Sequence, residues 1–253
     1  MIRVRTDDLP ALQDAVGAAL PVYRPRLRRV SKPAIIPRGL PHMFGHPSAL
    51  LLMAQLLGVL VYPFLDTSRA GSAVLGAISM VAVGLALWMV RSTPALTLIA
   101  VALGVPALVM TGMEAVLPGE TWVVLASALL HAPFYFYVFY GTVRYLFHDD
   151  KVTTDELYAI GAAFTVLAWG FAYLYVAVEI LWPGSIEPLS DGSGRFFDLL
   201  FFSFTNLTSV GLSDILPTGS HARSVVILEQ VGGVLYVAMV ISRLVGMTIY
   251  RRG

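Results

Sequence analysis

The chain has 253 residues, 57% of them hydrophobic and only 13% charged, with a mean hydropathy of +0.75. Soluble domains carry about 25% charged residues, so this composition is that of an integral membrane protein. A net charge of +1 argues against a nucleic-acid partner, which would call for a basic face, and the lack of cysteine excludes disulfides and thiolate metal sites.

Residues 1–47 read as a cytoplasmic N-terminal segment. They hold eight of the seventeen basic residues: Arg3, Arg5, Arg24, Arg26, Arg28, Arg29, Lys32 and Arg38. Leu9, Leu12, Val16 and Leu20 recur near helical spacing, which suits a short interfacial helix. The run from Arg24 to Lys32 has two readings, a topology signal and a contact with anionic lipid heads. Pro33, Pro37, Pro41 and Pro47 make the rest an irregular linker. No short basic stretch followed by an apolar core marks a secretory signal.

Six apolar spans follow, at 49–65, 71–90, 94–116, 121–147, 157–181 and 222–250. The first four form a transmembrane region over 48–147. A cytoplasmic linker covers 148–156, and a pore domain covers 157–253. Thr153 and Glu156 have the spacing of a capping box that opens the fifth span. Span four carries a single arginine, Arg144, too few charges for voltage sensing. His131 and Pro133 interrupt it at mid-membrane. His131 reads as a hydrogen-bonded interior residue, with a proton sensor as the alternative. Glu114 and Glu179, near the outer interface, are given no special role.

The most informative stretch runs from Arg195 to Pro217, R-F-F-D-L-L-F-F-S-F-T-N-L-T-S-V-G-L-S-D-I-L-P. Its aromatic first half, roughly 13 residues, makes a helix of about 20 Å, too short for a hydrocarbon core about 30 Å thick. Its second half is small and polar with a glycine. Irregular backbone at membrane depth survives where it lines a water-filled path, so the stretch points to a pore.

This segment resembles the pore loop of the potassium channel superfamily, whose filter reads T-V-G-Y-G followed by Asp. Ser209, Val210, Gly211, Leu212 and Ser213 stand at those five positions, and Asp214 follows. The likeness extends over roughly 157–250 and includes the helix after the loop. It implies an all-α membrane protein of six transmembrane helices, with a re-entrant pore helix and filter between the fifth and sixth. The implied function is a passive, homotetrameric cation channel with K⁺ as the permeant ion and no cofactor. The ligands would be the carbonyls of Thr208, Ser209, Val210, Gly211 and Leu212 and the Ser209 hydroxyl, with Ser213 closing the filter.

Leu212 stands in place of Tyr, and Ser213 in place of a glycine whose backbone disfavours a Cβ. Two alternatives therefore stay open, a weakly selective cation channel and a non-conducting receptor or structural relative. Asp214 either concentrates cations at the mouth or braces the filter from behind. Gly232 and Gly233 allow a gating bend or close packing. Glu229 calls for a partner on the pore helix or span five. Arg243 either snorkels to the interface or contacts the preceding spans at the gate.

With the N-terminus inside, thirteen basic residues fall on the cytoplasmic side and three, Arg69, Arg195 and Arg223, outside. Both termini are then cytoplasmic and Asp214 lies at the outer mouth, as expected for a bacterial inner-membrane protein in contact with membrane lipids. Only Arg251-Arg252-Gly253 follows the last span, so no soluble regulatory domain is expected in this chain. No Ser-His-Asp grouping, His-Glu-x-x-His or phosphate-cradling loop suggests an enzyme.

Overall fold

Apolar runs uninterrupted by charge become helices in a membrane, because each backbone N–H and C=O must find its partner within the segment. A computed structural model describes residues 46–65, 81, 82, 84, 85, 94–117, 119–147, 154–191 and 194–250. Its elements are α1 (Pro47–Leu65), α2 (Pro94–Val116), α3 (Thr121–Leu146), α4 (Thr154–Leu181), β1 (Ile186–Glu187), α5 (Gly194–Leu207), β2 (Leu216–Pro217) and α6 (Ser220–Tyr250). Among the described residues, α2, α3, α4 and α6 are long and apolar enough to cross a membrane, and the apolar part of α1, Ser48–Phe64, is shorter. Of the six expected spans, the second lies outside the described residues except for four helical positions. The N-terminal interfacial helix, the basic run and the Thr153 cap also lie outside them.

α4 is the hub. It packs against α1, α3, α5 and α6, while α2 packs on α3. Small residues allow this crowding. A Cβ at Gly170 would stand 3.3 Å from Tyr135 and Phe136 of α3, so the helix backbones lie close there. Two buried clusters result. One joins α4, α5 and α6 around Tyr175, Phe202 and Val226. The other joins α1, α3 and α4 around Leu51, Tyr135 and Trp169.

One expectation changes. α3 runs unbroken through His131 and Pro133 rather than being interrupted there. Pro133 removes one backbone N–H, whereas ending the helix would orphan several groups in hydrocarbon. His131 is fully buried, with Nδ1 2.9 Å from the Ser127 carbonyl and Nε2 3.2 Å from Thr111 Oγ1. A carbonyl only accepts, which places the ring hydrogen on Nδ1. The ring also stacks on Tyr173 at 4.4 Å. At the other end of the linker, α4 begins at Thr154, the position that follows the expected cap.

Candidate functional site

The aromatic half-helix predicted from sequence is α5, which spans 14 residues and about 21 Å. It buries Leu199, Leu200, Phe202, Ser203, Thr205, Asn206 and Leu207. The chain then leaves the helix through Thr208. Thr208 N and Oγ1 both donate to the Phe204 carbonyl, at 3.1 and 2.7 Å. Ser209 N donates to Asn206 O at 2.9 Å, and Gly211 N to Thr205 O at 3.0 Å. Carbonyls of the last helical turn, otherwise without partners, are thereby satisfied by the loop itself.

Ser209 has φ +58° and Gly211 φ +63°. Ser209 is the left-handed residue that closes a helix C-terminus, a place usually held by Gly or Asn. A side chain there costs roughly 1–2 kcal/mol. The strained position was expected at Ser213, but positive φ falls on Ser209 instead. Ser213 uses its hydroxyl, which accepts from Ile215 N at 3.0 Å. Gly211 is a matter of handedness and not of space within this chain, since a Cβ there would meet no atom within 4 Å.

The loop is open on one side. Val210 is 67% exposed and Leu212 78% exposed, and Asp214 is exposed as well. Ser213 is half-buried, and Ile215 anchors the chain back into the core.

Behind the loop, Glu229 of α6 is fully buried. Its Oε2 accepts from Tyr175 of α4 at 2.5 Å, and its Oε1 lies 2.5 Å from Ser203 Oγ of α5. Ser203 Oγ also reaches the Ala168 carbonyl of α4 at 2.9 Å. One carboxyl thus joins α4, α5 and α6. Tyr175 and Ser203 were not singled out from sequence. A tyrosine in an aromatic-rich span carries no distinguishing mark, although a lone Ser inside the aromatic half-helix was a legible signal.

One turn along from Glu229, a Cβ on Gly233 would fall on the Leu207 carbonyl at the end of α5, so this glycine allows close approach. Gly232 has open space. α6 is continuous through both.

After Asp214 the loop is mounted on a clasp. β2 pairs antiparallel with β1, Ile186 with Pro217 and Glu187 with Leu216. Thr218 Oγ1 donates to Gly184 O at 2.6 Å, and Thr218 N and Gly219 N donate to Ser185 O at 2.9 and 3.0 Å. Trp182 stacks on His221 at 4.0 Å. Glu179, expected to have no special role, accepts from Gly184 N at 2.7 Å and Ile186 N at 3.1 Å. A carboxylate in the last turn of a helix can gather the amides of the turn that follows. Near the C-terminal end of α6, Arg243 Nη2 stands 3.3 Å from Glu156 Oε1.

α6 shows two faces. Ala222, Val226, Glu229, Gly233 and Tyr236 recur every three or four residues and are buried against the same chain. Ile227, Leu228, Val231, Val234 and Leu235 are exposed.

Comparison with known proteins gives one match, over the same helices. Residues 161–249 match the family model described as ion channel. No curated protein and no solved structure matches the chain. The protein is an integral membrane protein, and from Gly161 in the first half of α4 through α6 it carries a domain similar to the ion channel family.

Proposed function

We propose that the protein is a passive, homotetrameric cation channel that conducts K⁺, with Thr208 to Ser213 as its filter and Asp214 at the mouth. The observation that carries this reading is the loop after α5, in which left-handed Ser209 and Gly211 flank Val210. Alternating handedness can set successive amides on one side of a chain and their carbonyls on the other; of these carbonyls, that of Gly211 accepts from Ser213 N at 3.1 Å within the chain. Carbonyls arrayed in this way replace the hydration shell of an ion. The half-helix α5 ends just before them, and its C-terminal dipole favours a cation.

One chain supplies one loop, and a ring of carbonyls needs about four. The exposed stripe of α6 and the open side of the loop supply an apolar surface for neighbouring copies around a closed cyclic axis. No step requires a cofactor, and the protein is read as a channel and not an enzyme. A second reading, a wider and weakly selective pore, is favoured by Ser213, which is not left-handed where the superfamily filter has glycine.

The test is flux from liposomes loaded with K⁺ or Na⁺. Rapid K⁺ release with slow Na⁺ release supports the first reading, and equal release the second. No release of either from intact tetramers would refute both.

A further inference from the structure

Asp155 and Glu156, neighbours in the first turn of α4, bind different helices. Consecutive helical residues point about 100° apart, and these two use that angle. Asp155 Oδ2 accepts from Ser48 Oγ of α1 at 3.1 Å and from Tyr145 OH of α3 at 3.1 Å. His46, just before α1, places Nδ1 3.5 Å from Asp155 Oδ1, an ion-pair distance. Glu156 faces α6, where Arg243 Nη2 lies 3.3 Å from its Oε1. The Arg243 guanidinium also sits 5.1 Å above the ring of Phe147, the residue after α3. The Arg243 and Glu156 side chains are only 11% and 5% exposed, so the pair is shielded from water and salt.

We propose that Asp155-Glu156 is a two-sided joint through which α1 and α3 control the inner end of α6. Below Gly233, α6 is tied to α4 by Tyr236, whose hydroxyl donates to Ile160 O at 2.7 Å, and by Arg243. The rest of that stretch is largely exposed. In a tetramer whose axis is lined by the exposed face of α6, a tether from the inner end of α6 to α4 draws that end away from the axis. The ion pair therefore favours the open pore, and a displacement of α1 or α3 that moves Asp155 also moves Glu156 and frees Arg243. The helices before the pore thereby gain a task that requires no voltage-sensing charge. This inference rests on the tetrameric channel reading for its effect on conduction, but not for the joint itself.

The test exploits the absence of cysteine. Leu157→Cys and Val245→Cys, both at exposed positions, carry spin labels in one copy diluted among unlabelled chains, so that the intrachain distance is read. That distance should lengthen in Arg243→Gln and in the Ser48→Ala/Tyr145→Phe double variant. It should return towards the starting value when charges are exchanged in Glu156→Arg/Arg243→Glu. K⁺ flux should fall at least about fivefold in the first two, the lower end of ordinary coupling between sites, and recover in the exchange.

A second arm bridges Glu156→Cys and Arg243→Cys with a short reducible bis-thiosulfonate reagent. Flux lost in the two-cysteine variant should return on bridging and be lost again on reduction. An unchanged distance in Arg243→Gln would overturn the proposal. So would a change in Arg243→Gln with none in Ser48→Ala/Tyr145→Phe, because the joint would then have only one side. A wild-type protein without flux would refute the channel reading and leave the distance result to decide the joint.

Discussion

The Glu229 network gives the sharpest test of how the loop is held. Ser203 has one hydroxyl hydrogen but two acceptors in range, the Ala168 carbonyl at 2.9 Å and Glu229 Oε1 at 2.5 Å. A glutamine at 229 fits this arrangement. Its carbonyl oxygen would accept from Tyr175, and its amide would donate to Ser203, leaving the serine hydrogen for Ala168. Glu229→Gln should therefore cost little. Tyr175→Phe keeps the ring against Phe202, 4.9 Å away, but strips the donor from Glu229. Ser203→Ala leaves both Glu229 and the Ala168 carbonyl one partner short. A buried polar group left unsatisfied costs about 1–3 kcal/mol. For a chain of this size that corresponds to a drop of roughly 2–12 °C in unfolding midpoint, read by thermal unfolding of the purified assembly in detergent. The predicted order is wild type and Glu229→Gln together, then Tyr175→Phe and Ser203→Ala below them. If Glu229→Gln fell furthest while the other two matched wild type, the carboxylate would have a task other than joining three helices.

Three further outcomes follow from the same geometry. Gly211→Ala should abolish flux and leave assembly intact. It forces a side chain into left-handed backbone at about 1–2 kcal/mol without a steric clash inside the chain, so size-exclusion profiles should not change. Gly233→Ala drives a Cβ onto the Leu207 carbonyl and should destabilise by about 1–3 kcal/mol. Gly232→Ala meets nothing and should gain up to about 1 kcal/mol of helix propensity, so the pair should shift thermal unfolding in opposite directions. Leu212→Tyr with Ser213→Gly should raise the K⁺-to-Na⁺ flux ratio, and an unchanged ratio would mean that neither side chain sets selectivity.

Much of the backbone plan was legible because membrane helices announce themselves by length and composition. The expected spans at 94–116 and 121–147 meet α2 and α3 within a residue, and the aromatic half-helix is α5. What composition does not carry is direction around the helix axis. α6 is apolar nearly all round, so the buried stripe through Val226, Glu229 and Gly233 emerges only when α4 and α5 are in place. The split of Asp155 from Glu156 depends on the same unknown, because adjacent carboxylates at a helix start read as a capping signal whichever way they point. Pro133 misled for another reason: the proline rule comes from water, where a broken helix is readily solvated, and hydrocarbon reverses that balance. The left-handed turn fell at Ser209 and not Ser213 because the C-terminus of α5 requires it, a demand from local helix ending that the filter resemblance does not encode.

The central claim is that Thr208 to Ser213 of four copies enclose a path for K⁺. The most direct measurement is the reversal potential of the purified protein in a planar bilayer, with K⁺ on one side and Na⁺ on the other. A reversal potential displaced towards the K⁺ equilibrium value, and lost in Gly211→Ala, is the predicted result. Current that survives Gly211→Ala unchanged, or no current from the intact tetramer under either gradient, would contradict it.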